Sequence, residues 1–264
     1  MNTEKILEQK IDQILENYKI SSKRNASNFL RNNEILINSK KVSNRTEKCN
    51  SDFADICVNG KILSKTKNLY IILNKPLGAV CSTKSDSHKT VFDFINEKDK
   101  FSENCSPLHS AGRLDSQTEG LLILTTNGSF SHFLTAPETH LKKTYRIIIE
   151  EKTTKTEQEH FSNLTKTGIL LPPEKKAPEY FTKTAELNWL SPSELEMTLT
   201  EGKFHQVRRM ISFFSLTLKS LKRISIGSLE IPENLKAGEY IFFKPEELFF
   251  HIPLFCSFSN YHTS

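Results

Sequence analysis

The stretch GRLDSQTEGLLILTTNG, residues 112–128, is the most informative segment of the chain, because a charged loop leads directly into an apolar run. The run at 121–126 predicts a strand, since four consecutive aliphatic residues between polar segments are typical of one. Three of the nine glycines in the chain, Gly112, Gly120 and Gly128, fall within this stretch. In a chain so poor in glycine, they indicate either tight loops around a site or turns needed only for chain reversal.

Several common catalytic signatures are missing from the sequence. There is no GxxxxGK[ST] phosphate loop, no GxGxxG dinucleotide fingerprint and no GxSxG nucleophile elbow. The eight histidines form no HxH or HExxH arrangement, and the five cysteines form no CxxC pair. Neither a metal site nor a disulfide framework is indicated. We therefore expect a protein without cofactor or metal, whose chemistry comes from ordinary side chains.

The composition indicates a folded protein of a reducing compartment. Hydrophobic residues make up 37% of the chain and charged residues 25%, which is enough apolar surface to form a core. No stretch approaches the roughly 18 consecutive apolar residues that a membrane-spanning helix needs. The polar first residues are unlike a secretory signal, and the number of cysteines is odd. We expect a cytoplasmic protein.

Short strand-like runs recur after residue 68, with fewer helical segments between them. The predicted strands lie at 69–73, 121–126, 145–150, 195–200 and 240–243, and the predicted helices at about 129–136, 157–166 and 204–215. Strands outnumber helices and do not alternate regularly with them. This order favours an α+β fold with a mainly antiparallel central sheet and flanking helices.

Residues 1–66 are predicted to form a small unit, joined by a polar linker to a body at 69–264. Apolar residues at helical spacing predict a first helix over about 4–17, Ser21-Ser22 predicts the start of a second, and short strands follow with a turn at Asn59-Gly60. Residues 1–68 carry 13 basic and 8 acidic side chains, whereas the rest of the chain is balanced, so the whole net charge of +5 lies here. Such a basic unit suits nucleic-acid phosphates, or it is an ordinary lysine-rich surface.

Two more segments accompany residues 112–128, namely NKPLGAVCST at 74–83 and EGKFHQVRRM at 201–210. Together, in this order and spacing, the three closely resemble the bacterial ribosomal RNA pseudouridine synthases of the RsuA family. The pattern GRLDxxTxGLLxLTxxG is similar to the catalytic motif of that family. Residues 143–145 are similar to its KxY motif and 221–227 to the strand after its third motif. The resemblance covers nearly the whole chain and implies the pseudouridine synthase fold.

The resemblance implies a cofactor-free isomerisation of uridine: the glycosidic bond breaks, the uracil rotates, and its carbon 5 is rejoined to the ribose. Asp115 matches the catalytic carboxylate, acting either as a nucleophile or as the base for a ribose proton. Arg208 matches its basic partner, and we expect a charge-assisted hydrogen bond to keep Asp115 ionised. Tyr145 matches the residue that stacks on the target base once that base has left the RNA helix.

Other residues are expected to bind the RNA substrate. Residues 10–63 resemble a divergent S4 RNA-binding domain, in which Asn33-Glu34 and Asn38-Ser39 stand where glycines are usual. The substrate-binding residues expected from the resemblance, in the body and in this S4-like domain, are Arg113, Leu221, His205, Gln206, Lys23 and Arg24.

The segment Lys203-Phe204-His205-Gln206 is more similar to the small-subunit branch of the family than to the large-subunit branch, which tends to have Arg-Asn-Arg there. We expect a monomer that acts on 16S rRNA or a small-subunit assembly intermediate, away from membranes. The same reaction on 23S rRNA and a non-catalytic RNA-binding protein with this fold are the alternatives.

Each proposed catalytic residue also has a structural alternative. Asp115 could cap a helix or pair with Arg113, and Tyr145 could be a core aromatic. Arg208 and Arg209 could form a phosphate-binding surface without contact to Asp115.

Overall fold

The computed structural model describes residues 7–52, 54–174 and 177–248. Within them, the α-helices are α1 (Ile11–Asn17), α2 (Ala26–Asn32), α3 (Gly128–Thr135), α4 (Lys155–Thr167) and α5 (Gln206–Phe213). The strands before the linker are β1 (Gln9–Lys10), β2 (Ile35–Ile37), β3 (Lys40–Lys41), β4 (Lys48–Cys49), β5 (Ile56–Val58) and β6 (Lys61–Ile62). The strands after it are β7 (Tyr70–Lys75), β8 (His109–Ser110), β9 (Glu119–Thr125), β10 (Lys143–Ile149), β11 (Leu170–Leu171), β12 (Tyr180–Phe181), β13 (Ala185–Ser191), β14 (Glu194–Leu199), β15 (Leu218–Ile226), β16 (Leu229–Glu230) and β17 (Tyr240–Phe242).

A nine-stranded sheet organises the body of the protein. Its main order is β13-β14-β10-β15-β9-β7-β17, while β8 pairs with β9 and β16 pairs with β15. All of these pairings are antiparallel except that of β9 with β15, which is parallel and joins Glu119 to Lys222 and Gly120 to Arg223. The sheet thus consists of two antiparallel blocks that meet along a two-residue parallel seam. The predicted α+β class with a mainly antiparallel sheet is confirmed.

The strand sequences reflect how deeply each strand lies in the sheet. All six residues of β7 are buried, as a strand covered on both faces requires. In β14 buried and partly exposed residues alternate, the period of two expected for a strand with one face in the core. One core cluster, which includes Ile71, Leu122 and Ile147, covers one side of β7 and β9, and a second, which includes Ile72 and Ile123, covers the other.

Side-chain caps set the starts of two body helices. The Asn127 side chain accepts hydrogen bonds from the backbone N–H groups of Ser129 and Phe130 at the start of α3. Thr154 and Glu157 form a capping box at the start of α4. Such caps satisfy N–H groups that have no partner within the helix. Both helices start and end within two residues of the predicted bounds.

Residues 7–63 contain a second, four-stranded sheet of order β3-β2-β5-β6, with α1 and α2 packed on it. Their buried side chains form a core cluster of their own. The predicted turn at Asn59-Gly60 is confirmed, since it joins β5 to β6 with φ of 48° and 80°. Asn38 and Ser39 join β2 to β3 with φ of 47° and 65°, so the tight hairpin forms without glycine.

The predicted helix over about 4–17 is interrupted at Gln9 and Lys10, which form β1. Residues 1–6 lie outside the described residues, and β1 pairs with β4. The N–H of Ile11 donates to the carbonyl of Glu47 at 2.9 Å, so the chain bonds across the unit just where the helix starts. Helical periodicity of the apolar residues did not reveal this pairing, because a strand partner 40 residues away leaves no local signal.

Polar contacts attach residues 7–63 to the body. The Ser106 hydroxyl is hydrogen bonded to both Gln13 and Asn17 of α1, and the Asn127 amide donates to the carbonyl of Leu7. The predicted end of the body at 264 includes residues 249–264, which lie outside the described residues. In the described part of the chain, no helix combines the length and apolar character that crossing a membrane would require.

Candidate active site

A cavity of about 750 Å³ opens over the sheet and is lined by all three motif segments. Side chains from β10 and β15 form its floor, including Tyr145 and Leu221. The loop at 111–118 forms one wall, and the loop at 200–205 with the first turn of α5 forms another. Residues 80–82, which follow the first motif lysine, complete the rim. The fold therefore brings the three segments together around one space.

Asp115 lies in the loop that enters β9, and its side chain is 40% exposed. A turn, in which the Thr118 N–H donates to the Asp115 carbonyl, closes this loop. The fully buried Lys75 holds the backbone of this loop. Its ammonium group donates to the carbonyls of Thr118 at 2.8 Å and Ser116 at 3.4 Å. Burial lowers the pKa of Lys75, while nearby acidic groups, Asp115 among them, oppose that shift. The buried cation thus holds the loop backbone, and the Asp115 carboxylate remains accessible.

Gly120 allows the Asp115 loop to approach β15 closely. Its φ is +101°, and a Cβ placed there would lie 2.2 Å from the carbonyl oxygen of Arg223. No other residue type fits between two backbones at this distance. Gly120 therefore allows a tight loop beside the cavity, which is the first of the two interpretations of these glycines, and it lies at the parallel seam.

Tyr145 and Leu221 lie side by side on the cavity floor. They come from the neighbouring strands β10 and β15, and they are 8% and 4% exposed. Both side chains belong to the main core cluster as well as to the cavity lining. Tyr145 therefore packs in the core and also presents surface to the cavity, so the two interpretations of this residue are compatible.

The expected hydrogen bond between Arg208 and Asp115 is not formed. A guanidinium nitrogen of Arg208 donates instead to the backbone carbonyl of Gln117, two residues beyond Asp115. Among the described residues, the ion pairs within 4 Å of Asp115 do not include Arg208. Arg208 thus uses the Gln117 carbonyl as its acceptor, while the partly exposed Asp115 carboxylate remains accessible to water. Arg208 still lines the same cavity.

His205 is the basic side chain that lies beside Asp115. Its Nε2 is 3.6 Å from a carboxylate oxygen of Asp115, and its Nδ1 is 3.3 Å from one of Glu174. The ring stacks on Phe204 with 3.8 Å between centroids. His205 adopts a left-handed backbone conformation (φ 50°) directly before α5, which directs the chain from the cavity wall into that helix. It thus lies between two carboxylates.

Gln206 and Arg209 build the wall that carries His205. The Gln206 amide donates to Glu201, and its carbonyl oxygen accepts from the N–H of Lys203, which closes the loop before α5. The buried Arg209 donates to the carbonyl of Pro172 and lies 5.0 Å from the centre of the Tyr180 ring. Among the described residues neither Arg208 nor Arg209 forms an ion pair with Asp115, as that alternative expects, and Arg209 is buried.

The remaining predicted substrate-binding residues are separated into two places. Arg113 is exposed on the cavity wall, and the hydrogen bonds and ion pairs among described residues do not involve its side chain. Lys23 and Arg24 are exposed in the connection between α1 and α2, and they do not line the cavity. Lys23 lies 3.5 Å from Glu16.

Comparison with known proteins identifies this arrangement. Residues 69–213, more than half of the chain, match the family described as RNA pseudouridylate synthase. The chain belongs to this family. The membership expected from the three motifs is confirmed, and the protein is an RNA pseudouridine synthase, an isomerase.

Relatives in this family match across most of the chain. Ribosomal small subunit pseudouridine synthase A of Salmonella typhimurium is 33% identical over 224 residues, which are 84% of this chain and 91% of that protein. The protein of the same name from Haemophilus influenzae is 37% identical over 171 residues, or 65% of this chain and 68% of the relative. A crystal structure described as a pseudouridylate synthase is 31% identical, with a TM-score of 0.61, over 92% of this chain and 99% of that chain.

The pseudouridine synthase cavity contains two cations that were not predicted as site residues. Lys143, the first residue of β10, and Arg223, on β15, both line it. Burial, and then the positive charge of Arg223, lowers the pKa of Lys143 to about 8. Lys143 was recognised only as part of the KxY motif, and Arg223 only as part of the strand after the third motif. The sequence signal that could have identified both residues is a basic side chain at a strand position that faces the protein interior.

Proposed function

We propose that this pseudouridine synthase isomerises a uridine of small-subunit ribosomal RNA, in the cytoplasm and as a monomer, with Asp115 as its catalytic carboxylate. The observation that carries the proposal is the position of Asp115. Asp115 lies in the second motif segment, on the loop before β9, and is partly exposed to a cavity whose floor includes Tyr145 and Leu221. The small-subunit target is supported by the names of the relatives and by the segment 203–206.

The reaction needs a negative oxygen at the C1′ side of the target uridine. In our proposal the uridine leaves the RNA stack and enters the cavity, where its base lies against the Tyr145 ring and Leu221. Asp115 acts on the ribose, either at C1′ or on a ribose proton, as the bond between N1 and C1′ breaks. The uracil then turns and C5 bonds to C1′, as Asp115 leaves C1′ or returns the ribose proton. C5 finally loses its proton and N1 gains one, so that substrate and product are isomers.

The neighbours of Asp115 suit this role. His205 lies within ion-pairing distance of its carboxylate, and the Arg208 guanidinium is bonded two residues away in the same loop. Both side chains therefore contact either the acid or the backbone of its loop. We propose that Arg208 and His205 position this loop, and that the exposed Arg113 contacts the target nucleotide.

The Asp115→Asn variant tests the catalytic role. It keeps the shape of the side chain and removes its charge, so we expect pseudouridine formation in a small-subunit rRNA transcript to fall at least a thousandfold. Glu119→Gln, four residues along the same segment, is the matched control and should retain most of the wild-type rate. Comparable rates for Asp115→Asn and wild type would refute the proposal. A wild type that is inactive on every rRNA fragment would favour the non-catalytic alternative.

The target rRNA can be tested in cells. Pseudouridines are mapped in both rRNAs of a strain that lacks this protein and of its parent. We expect one small-subunit site to disappear and to return when the gene is restored. Loss of a site in 23S rRNA instead would assign the enzyme to the large subunit.

We propose further that residues 1–66 form an S4-like RNA-binding domain and 69–264 the catalytic domain. The separate core of residues 7–63 and the exposed cations Lys23 and Arg24 support this division. Replacing both cations with glutamine in the full-length protein should weaken rRNA binding and reduce its salt dependence, because fewer phosphates are neutralised. The same change at Lys155 and Lys166, exposed on α4, is the control. An equal effect of both double variants would refute this role.

A further inference from the structure

The floor of the cavity carries two neighbouring positive charges. Lys143 begins β10, and Arg223 on β15 pairs with Tyr145, the next residue but one along β10. Arg223 is 3% exposed, so it is a buried guanidinium, and both residues line the cavity. Both cations are therefore neighbours of the expected base-stacking tyrosine, one along its strand and one across from it.

Neither cation has an acidic partner within the described part of the chain. Among the described residues, Lys143 Nζ donates to the carbonyl of Leu141, at 3.2 Å, and Arg223 Nε donates to the carbonyl of Leu121, at 2.8 Å. Arg223 Nη2 is buried and has no hydrogen-bond partner there. Residues 7–52, 54–174 and 177–248 place no carboxylate within the 4 Å ion-pair distance of either side chain. Unpaired buried charges are costly and uncommon in proteins.

The two carboxylates that line the cavity are engaged elsewhere. Asp115 lies beside His205, and Glu201 accepts hydrogen bonds from the Gln206 amide and from the N–H of Lys183. Burial lowers the pKa of Lys143 to about 8, and the positive charge of Arg223 adds to this effect. The floor therefore carries two basic side chains, and the described residues place no carboxylate beside either one.

We propose that Lys143 and Arg223 form a binding subsite for a negatively charged oxygen of the nucleotide that enters the cavity. This inference rests on the proposed function, since the nucleotide is the ligand. An oxygen of this kind has two sources. One is a phosphate beside the extruded uridine. The other is O2 or O4 of the uracil, which shares the electron pair that N1 keeps when the glycosidic bond breaks.

The two sources have different consequences for binding and turnover. A phosphate carries its charge before, during and after the reaction, so the subsite would contribute to affinity throughout. The charge on the uracil exists only while its bond to C1′ is broken, so the subsite would then stabilise that state alone and contribute to rate. In both cases the nucleotide supplies the anion that the protein lacks.

Lys143→Gln in the full-length enzyme removes one charge from the subsite, and Lys143→Arg retains it. Lys142→Gln is the matched control, because Lys142 is 59% exposed, pairs with Glu186 and lies outside the cavity. The measurements are the affinities for uridine monophosphate and uridine, and the single-turnover rate on an rRNA transcript. Unfolding in urea establishes that each variant is folded.

If a phosphate occupies the subsite, Lys143→Gln should weaken binding of uridine monophosphate about tenfold and leave uridine binding unchanged. If the uracil oxygens do, both affinities should be retained, while the single-turnover rate falls at least tenfold and Lys143→Arg restores most of it. Lys143→Gln matching Lys142→Gln in all three measurements would overturn the proposal. The affinities do not depend on turnover, so a phosphate effect would support the subsite even if Asp115→Asn proved fully active and the proposed catalytic role failed.

Discussion

Replacing Gly120 with alanine should be unusually destabilising for the addition of one methyl group. Gly120 has φ of +101°, and the new Cβ would lie 2.2 Å from the carbonyl oxygen and 2.9 Å from the nitrogen of Arg223. Ordinary contacts begin at 3.4 Å, so the β15 backbone would have to retreat by about 1.2 Å at its two-residue pairing with β9. Backbone yields less readily than the end of a flexible side chain. The added atom should therefore weaken the only direct pairing between the two blocks of the sheet in the described residues.

The expected cost is the sum of two effects. A left-handed conformation costs an L-residue about 1–2 kcal/mol, and overpacking typically costs about 1–3 kcal/mol. Gly120→Ala should therefore lower the free energy of unfolding by about 2–5 kcal/mol. Gly78→Ala is the matched control, because Gly78 has a similar φ of +80° with nothing within 4 Å of its Cβ position. It should show the first effect alone, about 1–2 kcal/mol.

Urea unfolding followed by circular dichroism measures both variants, and equal slopes against urea concentration are required for the comparison. Since the seam supports the Asp115 loop, Gly120→Ala should also reduce turnover by at least about tenfold, as displacements of about 1 Å can cost a hundredfold. If Gly120→Ala and Gly78→Ala lose the same stability to within about 0.5 kcal/mol, the close backbone approach does not have the energetic role assigned to it.

Three further predictions concern individual side chains. Lys75→Met should lower the free energy of unfolding by about 2–4 kcal/mol in urea, because buried carbonyls lose a charged donor; a change below about 1 kcal/mol would contradict this. His205→Ala should reduce kcat about fivefold with little change in KM, since a half-exposed contact to Asp115 contributes about 1 kcal/mol, and an unchanged kcat would argue against that contact. Burial raises the pKa of Cys49 to about 11, so at pH 8.5 its thiol stays protonated in the folded protein and should react with iodoacetamide much more slowly than in urea; equal rates would show that the thiol is not protected.

Local sequence patterns predicted the three helices and five of the eleven described strands of the body. The apolar run of β7 and the alternation of β14 are local patterns that can be seen in neighbouring residues. Both strands were predicted to within two residues of their ends. The strand β13 was missed, although its partner β14 was found. Its exposed face carries Glu186, Asn188 and Leu190, and the two polar residues weakened the apolar signal.

The members of the site could be predicted, but not all of their contacts. The motifs placed Asp115, Tyr145 and Leu221 around one cavity without any coordinate. They did not show that Arg208 would bind the carbonyl of Gln117 while His205 lies beside Asp115. Differences of a few ångströms between competing acceptors depend on side-chain packing across three loops, which residue identity and spacing do not encode.

The short parallel seam also has a consequence for dynamics. Each block of the sheet is held by long antiparallel ladders, such as the six residue pairs between β7 and β9, whereas only two pairs cross between Gly120 and Arg223 and their neighbours. Thermal opening should therefore begin along this line, and its amides should exchange with deuterium before those at the strand centres. The Asp115 loop belongs to one block and Leu221 to the other, so local opening along this line would alter the spacing of the two sides of the pocket. The core cluster that contains both Leu122 and Ile147 keeps the blocks packed together while the seam amides exchange.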